Sequence, residues 1–154
     1  MTPSPATTPP SSGADGALTP ADEELLAAAR EVLPRAICPY SNFPVGAAVR
    51  TEHGKVFAGV NVESASYGLT LCAERAALAA AVAATGEGKI VAVAVVTKTA
   101  EPVTPCGACR QLLAEWGADM RVVMAGAEGE PWVTTMDVLL PHPFLVLPDE
   151  DPLS

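Results

Sequence analysis

Cys72, Glu74, Cys106 and Cys109 are the residues of this chain whose types and spacing carry chemistry. They lie in two short motifs, Cys72-Ala73-Glu74 and Pro105-Cys106-Gly107-Ala108-Cys109. Three thiolates suit Zn²⁺, whose tetrahedral coordination leaves a fourth position to water, and a carboxylic acid that is not a ligand stands two residues from the first cysteine. Such a site is arranged for hydrolysis: the metal activates water and the acid carries protons. A closed structural site needs a fourth donor, and Cys38, His53 and His142 are the remaining cysteine and histidines. His53 falls in a turn and His142 between two prolines, neither at ligand spacing from anything. A redox dithiol at Cys106 and Cys109 would leave Cys72 idle, and the pair lacks the strand-to-helix context of a thioredoxin-like unit.

These side chains need particular backbone positions. In mid-helix, residues two apart point about 200° away from each other, so Cys72 and Glu74 can share a site only at a helix tip. Cys72 is therefore expected to open its helix. Cys106 and Cys109 are three apart and fall on one face of a first helical turn. Both helix N-termini then aim partial positive charge at the thiolates, which favours the ionised form. Three thiolates on Zn²⁺ still leave a net charge of −1, which weakens the metal as an acid, and Arg75 is the nearby cation expected to offset it.

The remaining elements follow from pattern. Thr19-Pro20-Ala21-Asp22-Glu23 reads as a helix start, and an Ala/Leu-rich helix is expected to about Ile37, shortened or kinked by Pro34. Val45 to Thr51 and Lys55 to Val62 read as a hairpin around Glu52-His53-Gly54. A loop over Ser64 to Leu71 leads to a helix over Cys72 to Ala84 that is apolar nearly all round. Ile90 to Val96 is a β-branched strand and Cys106 to Trp116 a helix. Arg121 to Ala125 and Trp132 to Thr134 are further strands, with Thr135 capping a short last helix. The order α-β-β-α-β-α-β-β-α implies an α/β protein with a mixed five-stranded sheet and helices on its faces.

Composition bounds the class. The chain has 154 residues, one ordinary domain, and is 49% hydrophobic, enough for a sizeable core. No apolar run is long enough for a membrane span. The Pro/Ser/Thr-rich start lacks the pattern of a secretory signal and reads as a disordered tail over residues 1–18, with the domain over 19–147 and a flexible tail over 148–154. A cytoplasmic location is expected, and with three cysteines spent on metal a reducing compartment suits the chain. A net charge of −9 argues against a nucleic-acid partner, which would be held by cations.

From about Ala36 to Phe144 the sequence resembles the small homo-oligomeric cytidine deaminases. The resemblance rests on Pro39-Tyr40-Ser41-Asn42-Phe43-Pro44-Val45-Gly46-Ala47-Ala48, Asn61-Val62-Glu63, Cys72-Ala73-Glu74-Arg75 and Pro105-Cys106-Gly107-Ala108-Cys109-Arg110-Gln111, in that order. It implies the three-layer α/β/α cytidine deaminase-like fold and hydrolytic deamination of cytidine and 2'-deoxycytidine to uridine and 2'-deoxyuridine, with ammonia released. By the same resemblance Cys72, Cys106 and Cys109 bind Zn²⁺, and Glu74 passes a proton to N3 of the pyrimidine and then to the departing amino group. Phe43 lines the pyrimidine pocket, and Asn61 and Glu63 hydrogen-bond ribose hydroxyls; from geometry, backbone groups near Ala73 and Pro105 or Cys106 are expected to bind the amide and amino groups of the base.

On residue type alone, Phe43 reads equally as core, Asn61 and Glu63 as a solvated strand face, and Arg110 and Gln111 as the surface of an amphipathic helix. Competing functions are a related zinc deaminase acting on another free aminopyrimidine, such as a blasticidin-type antibiotic, and a noncatalytic zinc-stabilised interaction protein. The positive mean hydropathy and the all-apolar helix suggest surface that other subunits cover. The resemblance implies a homotetramer with shared sites, into which Phe144, after the stiff His142-Pro143 step, reaches from a neighbour.

Overall fold

The computed structural model describes residues 16–86 and 88–145. The expected N-terminal tail falls mostly, and the C-terminal tail over 148–154 entirely, outside the described residues. Helix α1 spans Pro20–Val32. Its start is fixed by a reciprocal cap: Thr19 Oγ1 accepts from the Asp22 N–H at 3.2 Å, and Asp22 Oδ2 accepts from the Thr19 N–H at 2.8 Å. The helix stops short of the expected Ile37 and tightens into a single 3₁₀ turn over Leu33–Arg35. Pro34 explains this, because it has no N–H to bond the preceding turn and its ring crowds the carbonyl four residues back.

Strands β1 (Val45–Thr51) and β2 (Val56–Val60) form the expected hairpin. Its turn closes with the Gly54 N–H donating to the Thr51 carbonyl at 2.9 Å, and Gly54 takes φ +81, which only glycine adopts at no cost. Helix α2 (Ala73–Thr85), strand β3 (Ile90–Thr97), helix α3 (Gly107–Trp116), strands β4 (Arg121–Ala125) and β5 (Trp132–Thr135), and the one-turn helix α4 (Met136–Leu139) complete the chain. Thr135 stands at the cap position of α4, yet its side chain makes no capping bond.

The sheet order is β2-β1-β3-β4-β5. β3 and β4 run parallel, joined through α3, while the other pairs are antiparallel, so the sheet is mixed as expected. Alternation sorts the strand residues between two cores. On one face Ala48, Ala94, Val96, Val123 and Val133 meet Leu25, Leu26 and Ala29 of α1. On the other, Ala47, Val49, Val93, Val95, Val122 and Met124 meet Ala77 and Leu78 of α2, Leu113 of α3, and Met136 of α4. The result is the three-layer α/β/α arrangement. Small residues let the layers close: a Cβ on Gly46 would lie 2.3 Å from the Ala29 carbonyl oxygen, and one on Gly59 would lie 2.4 Å from the Ala77 nitrogen. The second contact presses α2 onto β2.

Asp22 is 2% exposed and pairs with Arg121 at 2.8 Å, tying the start of α1 to β4. Burial pushes the Asp22 carboxyl up. Hydrogen bonds from the Arg121 guanidinium and from Thr19 outweigh it, so the net shift is downward.

Candidate active site

The ends of three strands meet at one edge of the sheet. In the register of the hairpin Gly46 faces Val60, and across β1 Val45 faces Thr97, so the start of β1 and the ends of β2 and β3 lie side by side. β2 ends two residues earlier than expected. At Asn61 the chain leaves the sheet and makes single bridges, Val62 pairing with Leu71 and with Ile37. That departure turns Asn61 and Glu63 away from a plain strand face and toward the loop over residues 39–44.

Asn61 is buried, and both ends of its amide are used there: Oδ1 accepts from the Val45 N–H and Nδ2 donates to the Phe43 carbonyl, each at 2.9 Å. Glu63 Oε2 accepts from the backbone N–H groups of Tyr40 and Ser41 at 2.9 and 3.2 Å, and Oε1 accepts from the Ser41 hydroxyl. The Ser41 hydroxyl bond, helped by the two backbone donors, holds the Glu63 carboxyl below its ordinary range.

Cys72 is the N-cap of α2 and Cys106 the N-cap of α3, with Cys109 in the first turn of α3, as the spacing demands. The three sulfurs lie within 4.8 Å of one another, and Cys72 Sγ and Cys106 Sγ are 3.9 Å apart. Tetrahedral zinc with sulfurs at about 2.3 Å sets its ligands about 3.8 Å from each other, so this donor set fits the ion. Among the described residues no histidine, carboxylate or fourth cysteine joins the cluster. Cys38, His53 and His142 are therefore not used to close it.

The charge balance follows from the surroundings. The Cys72 thiol is lowered to about 5, first by a hydrogen bond from Cys109 and then by the Arg75 guanidinium, against the cost of burial. Arg75 Nη2 stands 3.4 Å from Cys72 Sγ and donates to the Thr70 carbonyl at 2.9 Å, while its Nε is buried with no partner. Cys109 is pushed up, chiefly by its bond to Cys72 and by burial. Glu74 is 4% exposed, and that burial, supported by the Cys72 charge, raises its carboxyl.

A cavity of about 350 Å3 lies against this edge, and Phe43, Asn61, Glu63, Ala73, Glu74 and the sulfur-bearing Cys72 and Cys106 all border it. Its size falls in the range of small-molecule sites. Cys109 sits behind, fully buried, and Arg75 lies behind Cys72. Phe144 does not border the cavity. Its backbone N–H donates to Gln111 Oε1 at 3.0 Å and its carbonyl accepts from Gln111 Nε2 at 2.7 Å, while 75% of the residue is exposed.

Two residues read as helix surface are employed here. Besides this clamp by Gln111, Arg110 donates to the Pro105 carbonyl at 2.8 Å, to the Leu139 carbonyl at 3.0 Å and to Thr104 Oγ1 at 2.5 Å. It thereby secures the segment whose Thr104 borders the cavity. Their partners lie up to 33 residues away, so local pattern carried no signal for them.

The model of the cytidine and deoxycytidylate deaminase zinc-binding region matches residues 19–125. The chain belongs to this family. It is 49% identical over 110 residues to a cytidine deaminase of Halalkalibacterium halodurans, covering 71% of this chain and 83% of that protein. Over 123 residues it is 43% identical to a cytidine deaminase of Sporosarcina psychrophila, covering 79% and 90%. Its fold is similar to the crystal structure of the cytidine deaminase of Burkholderia pseudomallei, with a TM-score of 0.75, 49% identity, and coverage of 79% of this chain and 98% of that one. As the family's zinc-binding region contains all three cysteines, zinc is the metal of this site.

Proposed function

We propose that this chain is a zinc-dependent cytidine deaminase, converting cytidine and 2'-deoxycytidine to uridine and 2'-deoxyuridine with release of ammonia, as in pyrimidine salvage. The observation that carries the reading is the place of Glu74: a buried carboxyl on the wall of a nucleoside-sized cavity that also exposes two of three clustered thiols. Cys72, Cys106 and Cys109 hold the zinc, which when bound supplies the Lewis acidity that makes water nucleophilic at neutral pH. Glu74 accepts one proton of the attacking water and delivers it to N3 of the base; it then takes the second proton from the hydroxyl newly bonded to C4 and passes it to the amino group, so that ammonia leaves as the C4 carbonyl forms. One carboxyl serves both directions because its two states are used in turn. Arg75 offsets the thiolate charge.

Phe43 lines the pyrimidine site, and backbone at Ala73 meets the base. Glu63 takes a ribose hydroxyl. A carboxylate has about four acceptor positions, and two N–H groups and one hydroxyl occupy three, which leaves one on Oε1. Asn61 likewise retains one N–H and one lone pair after its two backbone bonds.

The catalytic domain covers 19–147, and the working form is a cytoplasmic homotetramer with Phe144 entering a neighbour's site. Tyr67 and Leu69, 73% and 75% exposed, supply apolar surface for a partner subunit to cover. The net charge of −9 disfavours a nucleic-acid substrate, and no helix of the described residues is long and apolar enough to cross a membrane.

A substrate panel read by ammonia release tests the activity. Cytidine and 2'-deoxycytidine should both react, and free cytosine should be worse by roughly 10- to 10²-fold in kcat/KM, the scale of a lost hydrogen bond to the charged Glu63. Cytosine turned over as fast as cytidine, or blasticidin S preferred to both, would overturn it.

A further inference from the structure

The loop over residues 39–44 is held at three points by two side chains, and one residue joins them. The Ser41 hydroxyl donates to Glu63 Oε1 and accepts the Phe43 N–H at 3.0 Å, while the Ser41 backbone N–H donates to Glu63 Oε2 at 3.2 Å. Ser41 also borders the cavity. Its hydroxyl thus fills its donor role on the carboxylate and one acceptor role on the loop. Asn42 beside it has φ +52, in the left-handed region, and its N–H donates to the Cys38 carbonyl at 3.0 Å. The tight bend this makes sets Ser41 against Glu63.

We infer that Ser41 is a specificity-determining positioning residue, whose hydroxyl orients Glu63 toward the sugar of the substrate. The inference rests on the proposed role of Glu63 as acceptor for a sugar hydroxyl. A carboxylate bonded at Oε2 alone can swing about its terminal torsion, which is broad and nearly two-fold. The Ser41 bond to Oε1 removes that freedom and fixes which lone pair faces the cavity. The same Ser41 hydroxyl bond and the two backbone N–H bonds lower the Glu63 carboxyl, favouring its acceptor-only form.

The test compares Ser41→Ala, Ser41→Thr and Glu63→Ala, and the double variant Ser41→Ala/Glu63→Ala, as full-length zinc-loaded proteins. Cytidine and 2',3'-dideoxycytidine, which lacks both ring hydroxyls, serve as substrates. Ser41→Ala should raise KM for cytidine about tenfold with kcat within about twofold, the scale of one hydrogen bond to a charged group. The dideoxy analogue should show little change, Ser41→Thr should restore the wild-type KM, and Ser41→Ala should add nothing in the Glu63→Ala background. An unchanged KM in Ser41→Ala while Glu63→Ala raises it would overturn the inference and leave the Glu63 reading standing. An equal rise for both substrates would also overturn it, showing a pocket loosened as a whole. An unchanged KM in Glu63→Ala would remove the reading and the inference together.

Discussion

Replacing Glu74 by glutamine separates the chemistry of this site from its architecture. Glu74 sits in the first turn of α2 and is 4% exposed, so an isosteric amide keeps the packing while losing the ability to carry a proton. The metal-binding cluster consists of the three thiols without Glu74, and zinc content should stay at about one per chain. The other carboxylate bordering the cavity among the described residues, Glu63, has three of its acceptor positions taken by Tyr40 and Ser41 and is proposed to serve the sugar. The loss should therefore be that of a full general acid/base, about 10²- to 10⁴-fold in kcat. That corresponds to roughly 3 to 5 kcal/mol of transition-state stabilisation. Steady-state ammonia release, metal analysis and a thermal scan on the same preparation measure the three quantities. A Glu74→Gln protein with full zinc and turnover within tenfold of wild type would refute the role.

Three further outcomes follow from the same structure. Cys106→Ala should lose zinc and much thermal stability together, since metal affinity contributes to folding; a variant that keeps stoichiometric zinc would show the cluster is not the site. Asp22→Asn should destabilise the fold by about 1.5 to 3 kcal/mol at pH 7, the value of charged hydrogen bonds. Because the folded-state Asp22 lies below its ordinary 3.8, the stability it adds is present above that pH and lost as pH falls through the folded value. The gap in melting temperature between wild type and Asp22→Asn should thus narrow below about pH 4; a constant gap would deny the pairing. Truncation after Pro141 should raise KM for cytidine about two- to tenfold with zinc retained, the worth of one aromatic face. A fully active monomer by light scattering would overturn the shared-site picture.

Much of this was legible in the sequence because it depends on short-range geometry. The Cys72/Glu74 spacing forces a helix tip, and α2 opens where that spacing requires. The thiol pair of α3 needs only three residues of helix. The capping box at Thr19 and the hairpin at Gly54 are equally local. What stayed hidden is long-range: the sheet order, the pairing of Asp22 with Arg121 across 99 residues, and the tasks of Arg110 and Gln111. The misplaced boundaries have a physical cause as well. Alternation carried β2 on to Val62, but Asn61 satisfies its backbone and side chain against Val45 and Phe43, which outcompetes another rung of the ladder.

That competition is what makes the pocket. Here the chain turns out of the sheet at Asn61, and the polar groups left over by that departure fix the loop bearing Phe43. The next segment bridges back through Leu71 to deliver Cys72 and the start of α2 to the same edge. Glu74 is carried in with it, so the residue proposed to move protons and the residues proposed to hold the sugar are positioned by one continuous excursion of the chain from Asn61 to Glu74. The loop after β3 brings Thr104 and Cys106 from the other side, secured by Arg110. Changes within either excursion, the zinc-binding thiols apart, should therefore act on KM and kcat before they act on the fold, whose two cores lie behind the site and share few of its residues.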